Sequence, residues 1–134
     1  GLLADYGIAH HGIDDTGRAT ITKTRVMAGK QQVVRLDEED GRPIDDATAA
    51  RILSVIHDRL PSVQAVVLSD YGKGMFYAAA FVQAIIQACA REAIPVFIDP
   101  KGADWQRYAG ATCITPNTVE LELAAGTRFP MKPI

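Results

Sequence analysis

Residues 115–122 read TPNTVELE, which sets an Asn and a Glu three apart at the start of an apolar run. Two kinds of chemistry want that spacing. In a capping box, the Asn117 side chain accepts from the backbone N–H of Glu120, and the Glu120 carboxylate reaches back to the N–H of Asn117. In a ligand site, the same amide and carboxylate face a hydrated metal ion or a phosphate. The four residues by themselves do not choose between the two.

Two more polar pairs follow short apolar runs. SDYGKG (69–74) carries Asp70 and Lys73, and DPKG (99–102) carries Asp99 and Lys101. Taken singly, an Asp after a strand is a turn former and a Lys is a solvated charge. Together, lysines matched to acids and an amide suit a phosphate and its divalent cation. Ammonium groups neutralise phosphoryl oxygens, and hard oxygen ligands hold Mg2+, often through water. Neither SDYGKG nor KGAD (101–104) has the spacing of a P-loop, and no GKS or GKT follows. The sequence also lacks GxSxG and HExxH.

Hydrophobic periodicity gives the elements that must position these groups. TITKTRVM (20–27) and QQVVRLD (31–37) read as a hairpin, with Gly29 free to take a positive φ in the turn. Lys23 and Arg25 share a face with Ile21, as at a charge-guarded sheet edge. From Pro43 a helix is expected, with Asp45 and Asp46 at its positive end and Ile52, Leu53, Ile56 and Leu60 at helical spacing until Pro61. AVVL (65–68), PVFI (95–98) and TCIT (112–115) read as buried strands. Between and after them, helices are expected over 75–93, briefly over 103–108, and from Asn117 to Ala125 with Gly126 as the stop. The first of these sets Ala78, Phe81, Ile85 and Cys89 on one face. Trp105 and Tyr108 are expected to pack the short helix onto the sheet rather than to stack on a base.

This order predicts an α/β fold with a parallel sheet covered on both faces. Right-handed crossovers put the carboxyl ends of all three strands on one edge, where ligands bind in open α/β sheets. Helix starts near Gly74 and Asn117 would add positive potential there. The three polar loops are expected to converge on that edge.

Fourteen basic and sixteen acidic residues leave a net charge of −2 in 134 residues, spread without a long run of either sign. That balance argues against a nucleic-acid partner. The apolar runs are too short to span a bilayer, so no membrane partner is expected. Cys89 and Cys113 form no CxxC, and they read as buried, reduced thiols of a cytoplasmic protein. His10, His11 and His57 read as ordinary histidines rather than metal ligands.

The segments TITKTRVMAGKQQVVRLDEE (20–39), VLSDYGKGMF (67–76) and IDPKGADWQRYAGATCITPNTVELELAAG (98–126) resemble the heptose 7-phosphate kinases of the ribokinase-like carbohydrate kinase family. The resemblance runs from about Gly1 to Gly126. It implies a partial sugar-kinase domain over 1–134: a hairpin and sheet-edge part over 1–40, a Rossmann-type βαβ part over 41–126, and an irregular tail over 127–134. In many bacteria such a kinase is joined to an adenylyltransferase domain. By this resemblance Asn117, Thr118, Val119 and Glu120 bind nucleotide, and Glu120 and Asn117 hold Mg2+ through water. Asp99 and Lys101 approach the same ATP phosphates, and Asp70 and Lys73 lie on the sugar-phosphate side. The capping and ligand readings of TPNTVELE then become compatible, because phosphates gather at the positive end of a helix.

The family's GAGD motif, whose Asp acts as the base, does not occur in these 134 residues, and its glycine-rich sugar-binding segment would precede Gly1. The resemblance therefore places no catalytic base in this chain, which reads as the middle of a kinase domain. Two readings stay open: a piece of a heptose 7-phosphate kinase, or of a kinase for ribose or fructose, and a non-catalytic α/β module. Strand edges left open by missing flanks would favour a homodimer.

Overall fold

The computed structural model describes residues 2–129. After a single helical turn, α1 (Leu2–Asp5), the chain runs without regular structure to a two-stranded antiparallel hairpin, β1 (Thr22–Ala28) and β2 (Gln31–Glu38). Gly29 takes φ 60 in the turn, as its lack of a Cβ allows. A bulge between Val26 and Met27 shifts the register, and every residue of both strands is exposed. Val33, Val34 and Leu36 are therefore solvated, which a hairpin tolerates poorly without a partner surface.

Helix α2 (Asp46–Arg59) starts at Asp45, whose carboxylate accepts from the Thr48 N–H at 2.7 Å. Pro43 lies ahead of that cap instead of in the first turn, because Asp45 is the residue with extended backbone and a capping side chain. Pro61 falls in a short 3₁₀ turn (Leu60–Ser62) that ends the helix. Strand β3 (Val66–Ser69), helix α3 (Ala79–Arg91), strand β4 (Val96–Asp99), a 3₁₀ turn (Gln106–Tyr108), strand β5 (Cys113–Ile114) and helix α4 (Thr118–Ala125) follow in order. The three strands form one parallel sheet in the order β3-β4-β5, with Ser69 beside Asp99 and Ile98 beside Ile114. Helix α4 ends on Gly126 in the left-handed region at φ 64. None of the described helices is long and apolar enough to cross a membrane. Residues 127–129 carry no helix or strand, and the rest of the expected tail, 130–134, lies outside the described residues, as does Gly1.

Three expectations are corrected. Helix α3 begins at Ala79, not near residue 75, so its N-terminus is not at Gly74. Gly74 sits at φ 90 in a loop where a Cβ would fall 1.9 Å from the Arg42 carbonyl oxygen, a conformation no helix start adopts. The sheet is covered on one face only. Leu68, Val96 and Ile98 pack with Phe81, Val82 and Ile85 of α3, and Tyr108 completes that core. The opposite face leaves Val67 68% exposed and Phe97 37% exposed, because α4 buries only Glu120 and does not pack there. For the same reason Cys113 is exposed, whereas Cys89 is fully buried and its thiol is pushed up by that burial.

Candidate functional site

The parallel register brings the ends of β3, β4 and β5 to one edge, and hydrogen bonds join the three loops that leave it. The Asp70 N–H donates to the Asp99 carbonyl at 2.9 Å, continuing the ladder one step past the strands. Lys101 Nζ donates to Glu120 Oε1 at 3.0 Å, linking the loop after β4 to the first turn of α4. Glu120 Oε2 accepts from the Asn117 N–H at 3.0 Å, while Asn117 Oδ1 accepts from the Glu120 N–H at 2.9 Å. That is the capping box read from the spacing. The Asn117 N–H holds the Glu120 carboxyl below the ordinary value of 4.5, with Lys101 adding to the effect and burial opposing it.

Around this pair the other residues differ in placement. Asn117, Thr118 and Val119 are exposed at the helix start, as is Lys101 beside it. The Lys101 side chain is half exposed while that of Glu120 is only 8% exposed, so the carboxylate is fixed and the ammonium can swing. Asp99 is exposed on the bare face of the sheet, where its nearest polar partner is Ser69 Oγ at 3.5 Å. Lys73 turns away from the Lys101–Glu120 pair and instead meets Glu39 at the end of the hairpin. Lys23 of β1 reaches the same carboxylate at 3.1 Å. A cavity of about 340 Å³ lies between the hairpin and the 69–76 loop, lined by Ile21, Lys23, Asp70, Tyr71, Lys73 and Phe76 among others.

Asp70 is at the edge of that cavity, yet its side chain is 2% exposed. It accepts from the Gly72 N–H at 2.7 Å, from Tyr108 Oη at 2.6 Å and from Arg107 Nη2 at 3.2 Å. Its lone pairs are largely committed inside the protein. Tyr108 packs into the core as its sequence position suggests, while Tyr71 is 74% exposed. Sequence reasoning missed Arg107 and the polar role of Tyr108. They lie 37 and 38 residues from Asp70 in the chain, so no local spacing reveals them. Arg18 was missed as well: its guanidinium donates to the Lys73 carbonyl at 3.1 Å and to that of Arg42, tying the irregular N-terminal stretch to the loop after β3.

The chemistry on this edge fits a hydrated cation held mainly by phosphates. No group of three or more His, Cys, Asp or Glu side chains among the described residues could hold a metal by itself. Glu120 already spends one lone pair of each oxygen on Asn117 and Lys101, which leaves it able to accept from metal-bound water. A larger cavity, about 600 Å³, lies elsewhere, between residues 11–18, α2 and β3, with mainly apolar walls such as Ile52, Ile56 and Leu68. It offers no cluster of acids and lysines comparable to the carboxyl edge.

No protein-family model matches the chain. Curated relatives do. The protein named Bifunctional protein HldE of Aliivibrio fischeri (strain MJ11) is 52% identical over 107 residues, which cover 80% of this chain and 21% of the relative. The proteins of the same name from Granulibacter bethesdensis and Mesorhizobium japonicum are 43% and 41% identical over 91% and 93% of the chain, in each case 25% of the relative. The chain thus spans about a fifth to a quarter of the length of the curated relatives it matches. It is homologous to one segment of the bifunctional HldE proteins.

Proposed function

We propose that the full-length protein transfers the γ-phosphoryl group of ATP to the anomeric hydroxyl of D-glycero-D-manno-heptose 7-phosphate, giving the 1,7-bisphosphate for lipopolysaccharide core synthesis. In this reading the chain belongs to a ribokinase-like kinase domain and supplies the nucleotide-phosphate side of its site. The observation that carries it is the Lys101–Glu120 pair, 3.0 Å across two loops of the carboxyl edge and seated on the N-terminus of α4. The resemblance of residues 20–39, 67–76 and 98–126 to heptose 7-phosphate kinases supports the heptose substrate.

The residues have distinct work. Lys101, half exposed, leaves Glu120 to neutralise phosphate oxygens as ATP arrives. The free N–H groups at Thr118 and Val119 face the same phosphates from the positive end of α4. Glu120, with Asn117 beside it, would hold Mg2+ through its water shell, and the ion would supply neutralisation of phosphate charge. Asp99 lines the approach, and Lys73 faces the sugar-phosphate side with Lys23. The base that takes the sugar hydroxyl proton is not among these residues, since no GAGD occurs in the sequence. A second reading for the chain on its own is a non-catalytic α/β module that binds nucleotide at most. A homodimer through the exposed strand edges, and a cytoplasmic location, belong to the same proposal.

The test is a direct assay of the full-length protein with ATP, Mg2+ and heptose 7-phosphate. ADP and heptose 1,7-bisphosphate in equal amounts are expected. Turnover of ribose or fructose instead would move the protein to another branch of the family. No sugar-dependent ADP release with any of them would overturn the kinase reading.

A further inference from the structure

Asp70 is a carboxylate taken almost wholly out of water, and such a group is retained only where its partners satisfy it. Its three donors come from two segments. Gly72 belongs to its own loop, while Tyr108 and Arg107 belong to the 3₁₀ turn that follows the DPKG loop. Those two side chains then grip the backbone of one residue, Lys101, from both of its peptide groups. Arg107 Nη2 donates to the Lys101 carbonyl at 2.6 Å, and the Lys101 N–H donates to Tyr108 Oη at 3.4 Å. The turn is itself held from behind by Gln83 of α3, whose amide donates to the carbonyls of Arg107 and Ala109. On its other side the Lys101 stem abuts Gly72, where an added Cβ would stand 3.1 Å from Lys101 Cγ.

The geometry points to Asp70 as a positioning residue: through Tyr108 and Arg107 it fixes the Lys101 backbone, so that the ammonium meets Glu120 and the nucleotide phosphates. This rests on the kinase reading above, and it removes Asp70 from the groups that touch the sugar. Burial and the Asp70 carboxylate both push the Tyr108 phenol up, so its hydroxyl remains a donor to Asp70 throughout the working pH range.

The experiment measures KM for Mg-ATP and for the sugar phosphate separately in full-length Asp70→Asn, Tyr108→Phe, Lys101→Ala and the double variant Asp70→Asn/Lys101→Ala. Asp70→Asn is expected to raise KM for Mg-ATP about tenfold and leave that for the sugar phosphate unchanged, the weight of one charge-assisted hydrogen-bond network. Tyr108→Phe removes only a hydroxyl, and it serves if Asp70→Asn folds poorly. It should act in the same direction by about threefold. In the Lys101→Ala background, Asp70→Asn should have no further effect on Mg-ATP, since its action passes through that lysine. Without any ligand, amide exchange at Lys101 and Gly102 should quicken in Asp70→Asn and in Tyr108→Phe. A rise in KM for the sugar phosphate, or full additivity with Lys101→Ala, would overturn the inference while leaving the kinase reading intact. Should Lys101→Ala itself leave Mg-ATP kinetics untouched, the reading beneath it fails and the positioning role falls with it.

Discussion

Glu120 serves a cap and an ion pair with different oxygens, and substitution can separate the two. Glu120→Gln keeps an amide oxygen for the Asn117 N–H, and Gln is accepted at this position of a capping box. It loses the pairing with Lys101, but that ammonium is half exposed and can turn to water, so the loss is under about 1 kcal/mol. Glu120→Ala removes both bonds and leaves the Asn117 N–H without its acceptor. A lost cap costs about 1 kcal/mol, and truncating a side chain in a residue only 6% exposed adds about as much again. The expected total is about 2 kcal/mol, against under about 1 kcal/mol for Gln, so Ala lowers the melting temperature at least about twice as far. Calorimetry on the full-length variants reads the stability, and a Mg2+ titration of the kinase rate reads function. The Gln variant should keep nearly all the stability yet lose about tenfold in kcat/KM for Mg-ATP, with a raised Mg2+ requirement. Equal destabilisation by Gln and Ala would refute the cap argument, and a Gln variant with unchanged rate and Mg2+ dependence would refute the metal role.

Other consequences follow from the same geometry. Gly74→Ala puts a Cβ against the Arg42 carbonyl at φ 90 and should destabilise by about 3 kcal/mol, read by urea unfolding. Ile85→Ala hollows the centre of the core and should lose about 3 kcal/mol by the same measurement. Glu39→Gln weakens the link between hairpin and body; global stability should barely change, while amide exchange in β1 and β2 accelerates. Because the folded Glu120 carboxyl lies below 4.5, its stabilisation is complete above that value and is lost as the pH falls through the lower folded one. Acid titration should therefore show a stability step below pH 4.5 in the wild type that is missing in Glu120→Gln.

Local chemistry was legible in the sequence wherever it is local in space. The Asn117–Glu120 box, the turn at Gly29 and the stop at Gly126 each depend on residues within four positions. The three parallel strands and their shared edge followed from short apolar runs alternating with helical periods. What escaped was set by distant partners. Residues 75–78 fit a helical pattern, but the Tyr77 hydroxyl donates to the Gly72 carbonyl at 2.7 Å and Gly74 takes φ 90, so the loop persists to Ala78. The pairing of Lys73 with Glu39, 34 residues away, likewise has no local signal. The burial of Asp70 against Tyr108 and Arg107 has no local signature either.

The central claim is that nucleotide phosphates bind where Lys101 meets Glu120. Hydrogen-exchange mass spectrometry of the full-length protein with and without Mg-ATP tests it most directly, because it locates the nucleotide even if another domain also binds ATP. The account predicts slowed exchange over 99–102 and at the first turn of α4, 117–120, with the slowing over 117–120 abolished in Lys101→Ala. Protection confined to other parts of the protein, with these two segments exchanging as fast as without ligand, would contradict it.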